Sequence, residues 1–148
     1  MIITEMSRRE IKELLSRASI GRLACAKDNQ PYIVPLRFVY NSVYLYSFTT
    51  EGQKVEWMRD NHKVCVEFDE IDATNSWLSV VVTGRFEEMT KEHGAERNMA
   101  HELLNKKAEW WEPGYVRTVI RDQERPLDPV YFRIAITETT GHKAVKAH

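Results

Sequence analysis

Pro31-Tyr32-Ile33-Val34-Pro35-Leu36-Arg37-Phe38-Val39-Tyr40-Asn41-Ser42-Val43-Tyr44-Leu45-Tyr46-Ser47-Phe48 is the stretch that decides how this chain folds. Its first ten residues read as one long strand. Tyr32, Val34, Leu36, Phe38 and Tyr40 fall on one face, and Ile33, Pro35, Arg37 and Val39 on the other. A strand that is apolar on both faces is covered on both, which suits a barrel wall with something packed outside it. Asn41-Ser42 then makes a tight turn into a further strand, Val43 to Phe48. Two strands joined so closely are antiparallel neighbours.

Toward the N-terminus, Leu23-Ala24-Cys25-Ala26 reads as a preceding strand joined through the polar turn Lys27-Asp28-Asn29-Gln30. Before it, Ser7 and Glu10 have capping-box spacing, and Ile11, Leu14, Leu15 and Ala18 recur at helical intervals, with Gly21 as the stop. The opposite face of that helix carries Arg8, Arg9, Lys12 and Arg17, a solvated run. Toward the C-terminus, a short helix through Val55, Trp57 and Met58 leads to a strand over Lys63–Asp69 with Val64, Val66 and Phe68 inward. A polar loop is expected over Glu70–Ser76, then a strand over Trp77–Glu88 in which Gly84 marks a bulge or bend. A longer helix over Lys91–Trp110 would turn Ala95, Met99 and Leu103 to one face, and a strand over Val130–Thr139 would close the chain. Short turns between strands indicate a closed, six-stranded antiparallel barrel with three peripheral helices, hence a mainly β protein and one domain over residues 1–148.

Composition narrows the function classes. The 21 basic and 22 acidic residues leave a net charge of −1, unlike a domain built to neutralise phosphates along a nucleic acid. Met1 to Met6 passes at once into charged residues, so neither a leader nor a membrane span is expected. Cys25 and Cys65 lie in apolar stretches, which suits reduced thiols and a cytoplasmic location.

The junction after the third strand carries the most chemistry. Ser47, Thr49 and Thr50 offer hydroxyls, Gly52 lets the backbone turn, and Lys54 brings a cation to a helix N-terminus, where free N–H groups and the helix dipole favour an anion. The spacing equally allows a capping box from Thr50 to Gln53 with Lys54 simply solvated.

Taken in order, Gly21-Arg22-Leu23-Ala24, Pro31 to Tyr40, Val43-Tyr44-Leu45-Tyr46-Ser47, Glu51-Gly52-Gln53-Lys54, Asn61-His62-Lys63-Val64-Cys65-Val66, Trp77 to Glu87 and Phe132-Arg133-Ile134-Ala135-Ile136 resemble the pyridoxamine 5′-phosphate oxidase-like superfamily of split barrels that bind flavin mononucleotide (FMN), and within it the short proteins related to nitroimidazole resistance. The resemblance implies FMN as cofactor and a homodimer with the flavin at the subunit interface. It implies that the flavin ring lies along the backbone of Pro35, Leu36, Arg37 and Phe38, and that Ser47, Phe48, Thr49, Gln53 and Lys54 hold the ribityl chain and phosphate. Lys54 matches a phosphate-binding lysine; Gln53 stands where many relatives have a second basic residue, and Ser47 where close relatives often have His. Trp77 and Ser79 match the strand that reaches the flavin edge, often from the partner subunit. The implied activity is oxidoreduction of a small aromatic or nitro-bearing substrate, the alternative being a non-catalytic flavin- or haem-binding carrier or sensor. The C-terminal Arg and His that hold pyridoxal phosphate in true oxidases have no counterpart, so vitamin B6 oxidation is not expected.

No residue stands out as a catalytic acid, base or nucleophile. His101-Glu102-Leu103-Leu104-Asn105 begins like a zinc-protease helix but lacks the second histidine, so no metal site is expected. His62 suits a helix-end capping role. Trp110 and Trp111 are either a plug anchoring the long helix or a lid over the flavin, hinged at Pro113-Gly114; in the second case Trp111, Tyr115 and Arg117 lie near the substrate.

Overall fold

Two short turns set the register of half the molecule. The computed structural model describes residues 1–107, 118–120, 123–125 and 129–146. The chain runs β1 (Ile2–Glu5), α1 (Arg8–Arg17), β2 (Ile20–Lys27), β3 (Gln30–Arg37), β4 (Val39–Tyr40), β5 (Tyr44–Thr50), α2 (Gln53–Asp60), β6 (Lys63–Ala73), β7 (Ser76–Glu88), a 3₁₀ turn (Lys91–His93), α3 (Gly94–Lys107), β8 (Thr118–Ile120), β9 (Gln123–Arg125) and β10 (Pro129–Val145). Asp28 and Asn29, both at positive φ, join β2 to β3, the conformation that a two-residue hairpin demands. At the next corner Asn41 Oδ1 accepts from the N–H groups of Val43 and Tyr44.

All pairings are antiparallel, and the main sheet runs β3-β2-β6-β7-β10-β5-β4 with β1 added beside β10. Its two ends, β3 and β4, are consecutive pieces of the strand expected over Pro31–Tyr40. Phe38 separates them: its ring turns into the core at 1% exposure, and its N–H still follows the β2–β3 register to bond the Ser19 carbonyl at 2.8 Å. Beyond that break Val39 and Tyr40 pair with Tyr46 and Leu45 of β5. The wall therefore curls round on itself, but the ladder does not close. Among the described residues the seam between β3 and β5 is split and this sheet holds eight strands rather than six, and the expected closed barrel is corrected to that extent.

Inside the curl lie Leu23, Phe38, Leu45, Val64, Val66, Phe68, Val80, Val82, Phe86, Phe132 and Ile134, with Leu14, Leu15 and Met58 contributed by α1 and α2. Ser7 caps α1 by the reciprocal box with Glu10 that the sequence suggests. Ala18, in extended conformation, ends that helix, so Gly21 is not its stop. Gly21 lies in β2, where a Cβ would stand 2.6 Å from Val66 Cγ1 and against the Phe68 ring; its role is close packing. Gly84 is explained similarly. A Cβ there would meet the Ala135 carbonyl at 2.4 Å, while the irregularity falls in the opposite strand, between Ile136 and Glu138.

Other expectations shift. The Glu70–Ser76 loop is instead the end of a long β6–β7 hairpin turning at residues 74–75. α3 buries Ala100 and Leu104 rather than Ala95 and Met99, which are exposed. Its rotation follows from Glu96, whose carboxylate accepts from the Tyr46 hydroxyl (2.8 Å) and from Arg133 (2.6 and 2.7 Å). β10 extends to Val145 because β1 and β7 flank it. Trp110, Trp111, Pro113, Gly114, Tyr115 and Arg117 lie outside the described residues.

Candidate functional site

The split seam places most of the expected cofactor residues beside one another. Along its whole length β3 pairs with β2 alone among the described residues: Arg37 with Ile20, Leu36 with Gly21, Pro35 with Arg22. Its other edge faces β5 across the split and presents backbone groups outside the ladder. A strand edge of this kind is a ready row of hydrogen-bond donors and acceptors for another chain or a flat ligand. At the top of the seam the fully buried Ser47 hydroxyl donates to the Arg37 carbonyl at 2.5 Å, so this side chain braces the two edges. Thr49 follows on the same inward face, whereas Phe48 points outward against Tyr131, ring centroids 5.6 Å apart. Phe48 can thus offer the seam its backbone but not its ring.

Below the seam β5 passes into α2. Gly52 precedes the helix with extended backbone and no side-chain cap, so the Thr50–Gln53 capping box does not form. The first intrahelical bond is Glu56 N–H to the Gly52 carbonyl at 3.2 Å, leaving the earlier N–H groups pointing outward. A Cβ at Gly52 would meet nothing within 4 Å, so the approach is open. Lys54 stands in the first turn, half-buried beside the Cys25 thiol, and burial pushes its ammonium below the usual lysine value. Among the described residues no carboxylate pairs with it. Cys25 is raised in turn, chiefly by its own burial and against the pull of Lys54. Gln53 is exposed at the helix entrance. An uncapped helix start with a partly desolvated, unpaired cation is chemically suited to an anion, and a phosphate ester fits that donor set.

Trp77 and Ser79 lie elsewhere. Both are half-buried on β7, with β2 and β6 between them and β3. Ser79 Oγ donates to Glu67 Oε2 (3.1 Å), and Arg22 NH1 bonds both Glu67 (3.0 Å) and Asp69 (2.6 Å). Burial, and then the neighbouring Asp69, raise Glu67 above the usual carboxylate value. One chain therefore supplies two separate groups, the β3–β5–α2 seam and the Trp77–Ser79 strand.

Sequence reasoning missed a second polar assembly, on α3 and β10. His101 Nδ1 bonds the Tyr131 hydroxyl, Asn105 donates to His101 Nε2 at 3.0 Å, and the Arg97 guanidinium lies 5.0 Å above the Tyr131 ring. Only His101 and Asn105, at i and i+4, leave any trace in the local sequence. His62 Nε2 lies 3.2 Å from the Arg59 carbonyl at the end of α2, the helix-end position its sequence context suggests.

A split antiparallel barrel with this seam is the architecture of flavin-binding split-barrel proteins. The chain belongs to the pyridoxamine 5′-phosphate oxidase family, whose model matches residues 7–143. An uncharacterized protein of Rhizobium meliloti (strain 1021) is 39% identical over 146 residues, covering 97% of each chain. A solved structure described as an FAD-binding protein from Mesorhizobium loti is 40% identical, with TM-score 0.79 and 97% and 99% of the two chains covered. A candidate 5-nitroimidazole antibiotic resistance protein from Bacteroides thetaiotaomicron shares the fold at TM-score 0.69 and 18% identity, covering 97% of this chain and 89% of its own. Flavin binding is the property this kinship supports.

Proposed function

We propose that this chain is a cytoplasmic flavin-dependent oxidoreductase, a single domain acting as a homodimer on a small aromatic or nitro-bearing substrate. The observation that carries the reading is Lys54: a half-buried ammonium without a carboxylate partner among the described residues, at an uncapped helix start that follows the strand facing β3 across the split seam. The FMN portion of a flavin fits this arrangement. Its phosphate suits Lys54 and the first N–H groups of α2, its ribityl chain the end of β5 near Thr49, and its ring the backbone edge of Pro35–Phe38. FMN is the smallest flavin that fills it; FAD, named for the Mesorhizobium relative, contains the same portion.

The bound flavin would supply hydride or electron transfer. The protein's part is to hold the phosphate, keep the ring against a rigid strand edge and exclude water. Ser47 serves as a positioning residue, fixing the Arg37 carbonyl at the head of the seam. Because Trp77 and Ser79 are separated from the seam within one chain, their contribution to the flavin edge requires a second copy, so dimerisation is a condition of a complete site.

The test is an absorbance spectrum of the freshly purified protein, with the released cofactor identified by mass. Flavin bands at about one equivalent per chain are expected. Colourless protein that saturating FMN or FAD leaves thermally unchanged would overturn the reading. Lys54→Ala should weaken FMN binding by about 1.5–3 kcal/mol, the scale of a hydrogen bond to a charged group; an unaltered dissociation constant removes Lys54 from the site.

A further inference from the structure

The edge of β10 that carries β5 and β1 has a gap in it. β5 pairs with residues 129–135 and β1 with residues 142–145. The last bonds on either side are Ile136 N–H to the Val43 carbonyl (3.1 Å) and Met6 N–H to the Gly141 carbonyl (2.8 Å). Between them no described strand meets this edge, and the irregularity between Ile136 and Glu138 falls at its start. In an antiparallel ladder a residue turns its N–H and C=O to one side, and the residue two positions away does the same. Gly141 faces β1, so Thr139 turns its N–H and C=O into the gap, where no described backbone group pairs with them.

A cavity of about 560 Å³ opens there, within the size range of small-molecule sites. Its helix wall is fixed. Lys143 holds Glu10 of α1 at 2.6 Å, and Gly141 lets Met6 and Ile11 approach so closely that a Cβ would stand 2.9 and 3.0 Å from them. Buried Met6 and Ile11, with half-buried Ile136 and Tyr40, give the cavity an apolar lining that belongs to the main core. Its charged lining is divided between two sides. Arg8 and Lys12, one turn apart on α1, supply the cations; Glu5 on β1 and Glu138 on β10 supply the carboxylates, with His142, the register partner of Glu5, beside them. None of these four charges has an ion-pair partner among the described residues, so both signs line one space without neutralising each other.

We infer that this cavity binds a small zwitterion with an apolar side chain, the chemistry of a free apolar α-amino acid. Two cations against two carboxylates give no net preference for a simple anion or cation, whereas a ligand carrying both charges offers a partner to each side. Its carboxylate goes to Arg8 and Lys12. Its ammonium goes to the strand side, where the Thr139 carbonyl and the two carboxylates accept, and its side chain covers Met6, Ile11 and Ile136. A wholly apolar occupant would leave the Thr139 amide groups and four charges desolvated without partners, which is costly. The site shares no residue with the flavin seam and does not depend on it.

The experiment titrates the full-length protein, as purified, with leucine and with phenylalanine in a calorimeter, and then with the amide and the N-acetyl derivative of each. At least one amino acid should bind. Its amide, which lacks the carboxylate, and its N-acetyl derivative, which lacks the ammonium, should each bind at least about tenfold more weakly, the scale of one charge-assisted hydrogen bond. The double variant Arg8→Ala, Lys12→Ala should no longer distinguish the amino acid from its amide. Glu5→Gln, Glu138→Gln should no longer distinguish it from the N-acetyl derivative. All four side chains are exposed, so an unchanged denaturant midpoint is expected and reports that the variants fold. Absence of binding by either amino acid at millimolar concentration overturns the inference. Derivatives that bind as tightly as the parent overturn it too, as do variants that keep the native discrimination; none of these results touches Lys54 or the seam.

Discussion

The outer surface of the curled sheet has two halves that rest on one core and are treated in opposite ways. Over β4, β5 and β10 the helix α3 lies flat. Val39, Tyr46, Met89, Ala100, Leu104 and Tyr131 form a second apolar layer there, and Arg133 is clamped between Glu87 and Glu96 while stacking on Tyr44 at 4.3 Å. Over β3, β2, β6 and β7 no described element lies. Ile33, Ile20 and Ile71 stand 63%, 46% and 69% exposed, around the cluster of Arg22, Glu67, Asp69 and Ser79. The first half is covered by an element of the chain itself. In the second half, apolar side chains surround a hydrogen-bonded polar centre, the composition of a recognition surface rather than of a solvated one. Trp77 and Ser79 lie on this bare half, so the surface that completes the proposed flavin site and the surface open to a second copy coincide.

If that division is right, mutations in the two halves should have different readouts. The largest effect is expected under α3. Leu104→Ala removes a side chain 1% exposed and should cost about 2–5 kcal/mol of folding stability, seen as a lower denaturant midpoint, with self-association unaltered in the folded fraction. On the bare half, Ile33→Ala should leave the midpoint of the isolated chain nearly unchanged. Sedimentation velocity should instead show weaker dimerisation, by about 1.5–3 kcal/mol for a buried isoleucine. An Ile33 variant that dimerises normally, or a native chain that stays monomeric at every concentration, breaks the comparison. Flavin affinity links the two measurements, since Ile33→Ala should lower it in parallel with dimerisation whereas Leu104→Ala should not.

The same division explains what the sequence made legible. Features written in neighbouring residues were readable: the Ser7–Glu10 cap, the inward set Val64, Val66 and Phe68, the hairpin turn at Asp28-Asn29, and the order of motifs that marks the family. Features decided across the sheet were not. Ile2–Glu5 and Glu70–Ala73 have no hydrophobic alternation of a half-buried strand; they are extended because β10 and β7 pair with them. The split at Phe38 was hidden because Phe38 continues the alternation of its strand, and only the partner changes, from β2 before it to β5 after it. The rotation of α3 is set by Glu96 meeting Tyr46 and Arg133, partners fifty and thirty-seven residues away. Of the candidate site, Lys54 and the seam residues were implied by the family resemblance, while spacing alone left Lys54 open between an anion site and a solvated helix start. Their separation from Trp77 and Ser79, and the Arg97–Tyr131–His101 stack, required the register of the sheet.

The smallest expected effects come from acid, and they differ in sign between α1 and the bare face. Glu10 accepts from the Lys143 ammonium at 2.6 Å and from Ser7 N–H, which holds its carboxyl at about 2. Arg17, bonded to Glu70 at 2.7 Å, ties down the other end of the helix and likewise lowers that carboxyl. A carboxyl whose folded value lies below its unfolded one stabilises the fold above the ordinary range near 4.3 and loses that contribution as pH falls toward the folded value. Glu67 has the opposite shift, because burial and Asp69 favour its protonated form. Its ionisation therefore opposes folding at neutral pH, and the cost is relieved as pH falls through its raised value. Both pairs are partly exposed, so salt should reduce the effects. In denaturant midpoints measured from pH 7 to pH 2, Glu67→Gln should raise stability at neutral pH and flatten the profile above the ordinary carboxylate range. Glu10→Gln should lower stability at neutral pH and flatten the profile below that range, leaving its slope above that range unchanged. Profiles in which both variants act in the same window would mean that α1 and the bare face respond to acid as one unit, contrary to the separation argued from the structure.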